Sequence, residues 1–155
     1  MKTLLAYFSY SNNTKKLVES IRNVMKMDVR RIERVTPYSE DYDTCAYVEA
    51  KKEVDEKIHP EIKDLPLNIQ DYGRILLFFP IWWYTFPMPV GTFLDTLKDF
   101  HGEIILFANS YTNDPQYMKN SIRDAKEILP NAEIKAGLFN QSVNAHIEFL
   151  KGLEK

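Results

Sequence analysis

Cysteine is almost missing from this chain of 155 residues: Cys45 stands alone, so no intrachain disulfide is available and a reducing, cytoplasmic setting is expected. Glycine numbers only five. None of it falls in a Gly-x-Ser-x-Gly elbow, a Gly-x-x-x-x-Gly-Lys phosphate loop or a Gly-x-Gly-x-x-Gly turn. That removes the serine-hydrolase elbow and the P-loop nucleotide site, and leaves no dedicated fold for a dinucleotide. No block of Lys or Arg stands out, and a formal charge of −2 gives no electrostatic footprint for nucleic acid. The same charge is milder than the acidic balance expected of a carrier that docks on basic redox partners. His59, His101 and His146 are isolated and show no metal-ligand spacing, so no metal site is expected.

Long apolar runs are lacking too. The longest, Ile75 to Tyr84, is interrupted by Pro80 and reaches about half the ~20 residues of a membrane span. The opening run turns polar at Ser9 and is too short for a signal-peptide core, so neither a span nor a targeting segment is expected. The length suits one domain over residues 1–155, and no repeat, low-complexity tract or linker breaks it.

What is present is an alternation of strand and helix patterns. Strand one reads Thr3 to Phe8, and the helix that starts near Asn13 or Thr14 places Leu17, Val18, Ile21, Val24 and Met25 on one face. A second strand, Asp28 to Glu33, mixes Val29 and Ile32 with charge, as an edge strand does. After a turn-rich stretch, a helix over Thr44 to Ile58 shows Tyr47, Ala50, Val54 and Ile58 on one face, its charged face solvated. The unbroken apolar runs Arg74 to Phe79 and Glu103 to Ala108 imply central parallel strands. Helices follow each, the first with Val90, Phe93, Leu94 and Leu97 inward, the second opened by Asp114 and Pro115 with Ile122, Ala125, Ile128 and Leu129 inward. A short strand, Glu133 to Ala136, and a helix capped near Ser142 complete the chain. Strand then helix, five times over, predicts a doubly wound α/β three-layer sandwich with a five-stranded parallel sheet. The order 2-1-3-4-5 suits that length, and its switch point lies between strands one and three.

Three loops then converge at the carboxyl edge. The first, Ser9-Tyr10-Ser11-Asn12-Asn13-Thr14, is all hydroxyls and amides around Tyr10, with no acid, at a helix N-terminus suited to an anion. The second, Pro80-Ile81-Trp82-Trp83-Tyr84, is apolar and aromatic; the third mixes Asn109, Ser110, Tyr111, Thr112 and Asn113. A ligand matching all three has an anionic end and a flat apolar end with polar edges. A receiver domain shares the predicted fold but needs carboxylates at the ends of strands one and three, where this chain has Phe8-Ser9 and Phe79-Pro80.

These residues carry a resemblance over nearly the whole chain. The sequence resembles the flavodoxin-like flavoproteins of the branch with a Ser-x-Thr-Gly-Asn-Thr phosphate loop and a Pro-Ile-Trp-Trp turn, here Ser9 to Thr14 and Pro80 to Trp83. The resemblance implies FMN, its phosphate on Ser9, Ser11, Asn13 and Thr14 and its ring flanked by Trp82, Trp83 and Tyr84. Backbone groups of the second and third loops would meet the ring's polar edge, and Tyr111 would cover part of it. Asn12 stands where the family usually has glycine, and the third loop lacks glycine altogether. Two functions follow as expectations: an oxidoreductase passing electrons from NAD(P)H to a small quinone-like acceptor, or a one-electron carrier docking on a redox partner protein. Since adjacent tryptophans diverge in an extended segment, one of them packs inward or onto a partner subunit, which is compatible with a homodimer.

Overall fold

The computed structural model describes residues 1–154. Five strands, β1 (Thr3–Tyr7), β2 (Asp28–Arg31), β3 (Arg74–Pro80), β4 (Glu103–Asn109) and β5 (Glu133–Phe139), form one parallel sheet in the order β2-β1-β3-β4-β5. The helices are α1 (Asn13–Arg22), α2 (Lys51–Glu56), α3 (Met88–Asp95), α4 (Gln116–Ile128) and α5 (Val143–Leu153). This is the doubly wound three-layer arrangement expected from the strand-helix alternation, in the order expected for its length.

Side chains of a strand alternate between faces, so each unbroken apolar run splits into two cores. Leu4, Ala6, Leu77, Phe79, Ile104 and Leu106 enter the core beneath α3 and α4. Leu5, Tyr7, Leu76, Phe78, Ile105 and Phe107 enter the other, with Val18 and Ile21 of α1 and Leu150 of α5. Burial on both faces is the reason the central strands show no polar alternation. Between Leu106 and Ala108 the pairing with β5 slips. Gly137 sits there because a Cβ at that position would stand 2.6 Å from the Phe107 ring.

Several local expectations are corrected. β5 runs on to Phe139 rather than ending at Ala136, while β2 stops at Arg31. Val24 lies beyond the end of α1 and is exposed. The largest change precedes α2, where Thr44–Ala50 is a π-helix. Its i→i+5 bonding adds a residue to each turn and rotates the buried face away from a 3.6-residue pattern. Cys45, Ala50 and Glu53 are therefore buried, whereas Tyr47 is exposed; Ile58 is exposed because the helix ends before it, at Lys57 with φ 52°. Glu53, expected on a solvated face, is enclosed instead.

Candidate functional site

β1 delivers the first loop at the level where Tyr7 pairs with Phe78. The chain can turn there because Asn12 adopts φ 70°, a left-handed conformation that asparagine tolerates better than other side chains apart from glycine. The backbone N–H groups of Ser9 through Thr14 find no acceptor among the described residues. The side chains beside them are held from behind. Ser9 Oγ accepts from Lys15 N at 3.2 Å, and buried Thr14 Oγ1 accepts from Asn109 Nδ2 at 2.8 Å. Each hydroxyl has used a lone pair internally and keeps its proton to donate. Ser11, Asn12 and Asn13 are exposed. A run of uncommitted amides at the start of a ten-residue helix is a cradle for an anion.

The second loop is joined to the third by Ile81 N donating to Asn109 O at 2.8 Å. Pro80 pairs with Asn109 at the ends of β3 and β4. Trp82 and Thr85 exchange two backbone hydrogen bonds, which makes Trp83 and Tyr84 the centre of a two-residue hairpin. Both have positive φ, 50° and 74°, as a type I′ turn demands. The turn is pinned to α4, where Thr85 Oγ1 donates to Asp124 Oδ2 at 2.7 Å and Asn120 Nδ2 to Tyr84 O at 3.0 Å.

The two indoles diverge. Trp82 packs edge-on against Phe8, Tyr10 and Tyr38 with ring centroids 5.2, 5.7 and 5.2 Å away. Trp83 leans the other way and donates from Nε1 to Ala46 O at 2.7 Å. Tyr10 joins the Trp82 cluster with its hydroxyl donating to Ser39 O at 2.6 Å. Tyr111, expected over a ring, stands 93% exposed. The glycine-free third loop is held by a residue outside it. Asn140, at φ 54°, accepts from Ser110 N at 2.7 Å and donates to Asn113 Oδ1 at 3.4 Å.

The structure thus joins Thr14, Pro80 and Ile81 through Asn109, and Tyr10 to Trp82, with Ser110 tied in through Asn140 and Ser9 held by Lys15 and Arg31. It also adds residues that loop reading missed. Arg31 Nη2 donates to Ser9 O at 3.1 Å and brings a guanidinium behind the first loop. Arg34 bridges Glu49 (3.6 Å) and Glu53 (3.2 Å) and lies 4.2 Å from the Tyr38 ring centroid, while Tyr38 donates to Glu53. Burial pushes the Glu53 carboxyl up, against the pull of the Tyr38 hydrogen bond and the Arg34 charge. Burial also pushes the Cys45 thiol up to about 11, so it stays protonated and inert, as its lack of a cationic neighbour in sequence suggests. The signal available for Arg31 was the charge clustered in the second strand, Asp28-Val29-Arg30-Arg31; Arg34 lies three residues past its end. Nothing in sequence marked the π-helix. Among the described residues no three His, Cys, Asp or Glu side chains group to hold a metal, and no helix is long and apolar enough to cross a membrane.

A parallel sheet in this order, with an anion cradle at its switch point and an aromatic turn beside it, defines a flavodoxin-like α/β protein. The chain belongs to the flavodoxin family, whose model, described as Flavodoxin, matches residues 2–152. No curated protein sequence matches. Among solved structures, the chain is similar to a flavoprotein from Lactobacillus acidophilus NCFM in complex with FMN, at 22% identity and TM-score 0.78, covering 95% of this chain and 98% of that one. The apo form of the flavoprotein from the same organism matches at 27% identity and TM-score 0.67, over 89% and 90% of the two chains. A candidate flavoprotein from Bacteroides eggerthii DSM 20697 matches at 25% identity and TM-score 0.81, over 99% and 98%.

Proposed function

We propose that this protein binds FMN at the Ser9–Thr14 cradle and acts in electron transfer, as an oxidoreductase that takes electrons from NAD(P)H and reduces a small acceptor such as a quinone. The observation that carries the FMN reading is the run of unpaired amides from Ser9 to Thr14, flanked by two hydroxyls with protons to donate. That donor set, with no carboxylate in it, suits a phosphate dianion. The second and third loops, hydrogen-bonded to each other, supply an aromatic wall and backbone polar groups for a flat ring. Membership of the flavodoxin family and likeness to a protein in complex with FMN support the same assignment.

FMN supplies the redox chemistry when bound; the chain binds it, orients it and shields it. Hydrogen bonds to a charged group contribute roughly 1.5–3 kcal/mol each and the helix dipole about 0.3–1, so donors dominate the phosphate grip. Aromatic contact adds on the order of 0.5–1.5 kcal/mol beyond burial, and apolar walls disfavour added negative charge on a ring between them. The near-neutral net charge of −2 supports a small-molecule acceptor over docking on a strongly basic partner.

The test has two stages. Purified protein should be yellow and bind FMN one to one; riboflavin, lacking the phosphate, should bind far more weakly. Ser11→Ala, at an exposed position, should weaken FMN about 10- to 100-fold with the fold unchanged. Colourless protein that takes up no FMN on reconstitution would overturn the cofactor assignment. Stopped-flow mixing with NADPH, then a quinone, addresses the enzyme: flavin bleaching followed by return of colour supports it, and no response to NADPH favours a carrier.

A further inference from the structure

On the β2 side of the Trp82-Trp83 turn lies a pocket of about 220 Å³, closed on its far wall by the π-helix. Its walls are Tyr10, Tyr42, Tyr47, Trp82 and Trp83, with Ile81 of the second loop beside them. Small side chains, Cys45, Ala46 and Ala50, form the helix side. No charged side chain and no third-loop residue lines it among the described residues. The sheet order explains the separation: the π-helix follows β2, the turn follows central β3, and the third loop follows β4 on the opposite side. The flavin region, bounded by the second and third loops, and this pocket therefore meet at the tryptophan turn, with Tyr10 and Ile81 at their common edge.

Two uncommon backbone features build that junction. Trp83 and Tyr84 occupy left-handed conformations that cost an ordinary side chain about 1–2 kcal/mol each. The facing helix keeps π geometry for seven residues, an uncommon form that is frequent at functional sites. They meet at the bond from Trp83 Nε1 to Ala46 O, beside Tyr47, whose ring centroid is 5.5 Å from that of Trp83. Tyr10 OH is committed to Ser39 O. The hydroxyls of Tyr42 and Tyr47 have no partner among the described residues, and both side chains are exposed at the rim. The lining thus asks for a flat apolar body with a polar edge that accepts hydrogen bonds. Its volume lies below the roughly 300–1,000 Å³ typical of drug-sized ligands, which selects a small ring system over a dinucleotide or a whole FMN.

We propose that this pocket binds a flat, neutral, two-ring aromatic acceptor of the naphthoquinone class, separately from the flavin; the acceptor role rests on the FMN reading above, whereas occupancy of the pocket does not. The probe is menadione, titrated by calorimetry and equilibrium dialysis into FMN-loaded protein, with the flavin spectrum recorded throughout. Saturable one-to-one binding without release of FMN is expected. Ala50→Leu, which fills the helix side, should weaken menadione about tenfold or more, and Tyr47→Ala, at an exposed position, several-fold. Both variants should hold FMN within about twofold of the parent. If menadione displaces FMN, the pocket is part of the flavin site and the proposal fails. It also fails if binding does not saturate, or if Tyr47→Ala and a folded Ala50→Leu bind menadione like the parent. Should the protein take up no FMN, the FMN reading falls, and the same titration on the flavin-free chain still decides the pocket.

Discussion

Asn12 shows how much one backbone angle controls. Its φ of 70° turns the chain from β1 into α1 so that the amides between Ser9 and Thr14 are left free of acceptors. Asn12→Gly should keep the fold and FMN binding, while Asn12→Val should lower unfolding free energy by about 1–2 kcal/mol, because a β-branched residue resists the left-handed region. Denaturant titration of the two variants reads the difference. Tyr84 offers the opposite experiment. It is 59% exposed with φ 74°, in the second centre position of a type I′ turn, where glycine is preferred. Tyr84→Gly should therefore raise stability by about 0.5 kcal/mol, even though it removes ring contacts to Trp83 and Tyr117. A loss of a kilocalorie or more would mean that the turn is not held in this geometry.

The π-helix and α2 act together as one element, and what they enclose is ionic. Glu53 is buried with Tyr38 donating to it and Arg34 beside it, and Tyr38 in turn supports Trp82. Breaking a buried pair leaves an uncompensated charge, a loss of about 3–5 kcal/mol in general and less here because Arg34 reaches solvent. Arg34→Met should thus cost roughly 2–3 kcal/mol at neutral pH. The sign with pH follows from Glu53. Burial has raised its carboxyl, and without the Arg34 charge it rises further, so the protonated form is favoured. The penalty of Arg34→Met should shrink as pH falls and Glu53 takes up a proton. Thermal unfolding of parent and variant at pH 7 and pH 5 checks this.

Taken whole, the molecule has one source of acid sensitivity in the core opposite α2. His146 is buried, with Nδ1 donating to Ser142 O at 2.7 Å, ring centroids 5.8 Å from Phe78 and Phe107, and Nε2 without a partner. Burial holds its pKa below the usual 6.5. The unfolded chain therefore binds more protons below that value, and stability is full above pH 6.5 and lost as pH falls. Asp28, Asp41 and Glu103, each held low by hydrogen bonds, add a second loss in the carboxylate range. His146→Phe should flatten the first slope, which begins as pH falls below the usual 6.5, and leave the second intact. An unchanged slope in that variant would assign the acid loss elsewhere.

Residue order alone determined the layers and the candidate loops. Runs such as Ile75 to Phe79 must be buried on both faces, and short strand-helix repeats close only with right-handed crossovers, so the three layers and the carboxyl-edge loops follow, and the length suits the observed order β2-β1-β3-β4-β5. Asn12, which stands where the resembled family usually has glycine, takes up the left-handed turn there. Contacts between distant segments were decided only by tertiary structure. Asn140 reaches the third loop across 30 residues, Asn109 reaches Thr14 across 95, and Arg31 reaches Ser9 across 22. The π-helix lies in the same category, since its widened turns are coupled to an indole 37 residues away at Ala46. Periodicity reports the face a regular helix would bury; which face is buried, and what pocket remains beside it, depends on the partner that packs there.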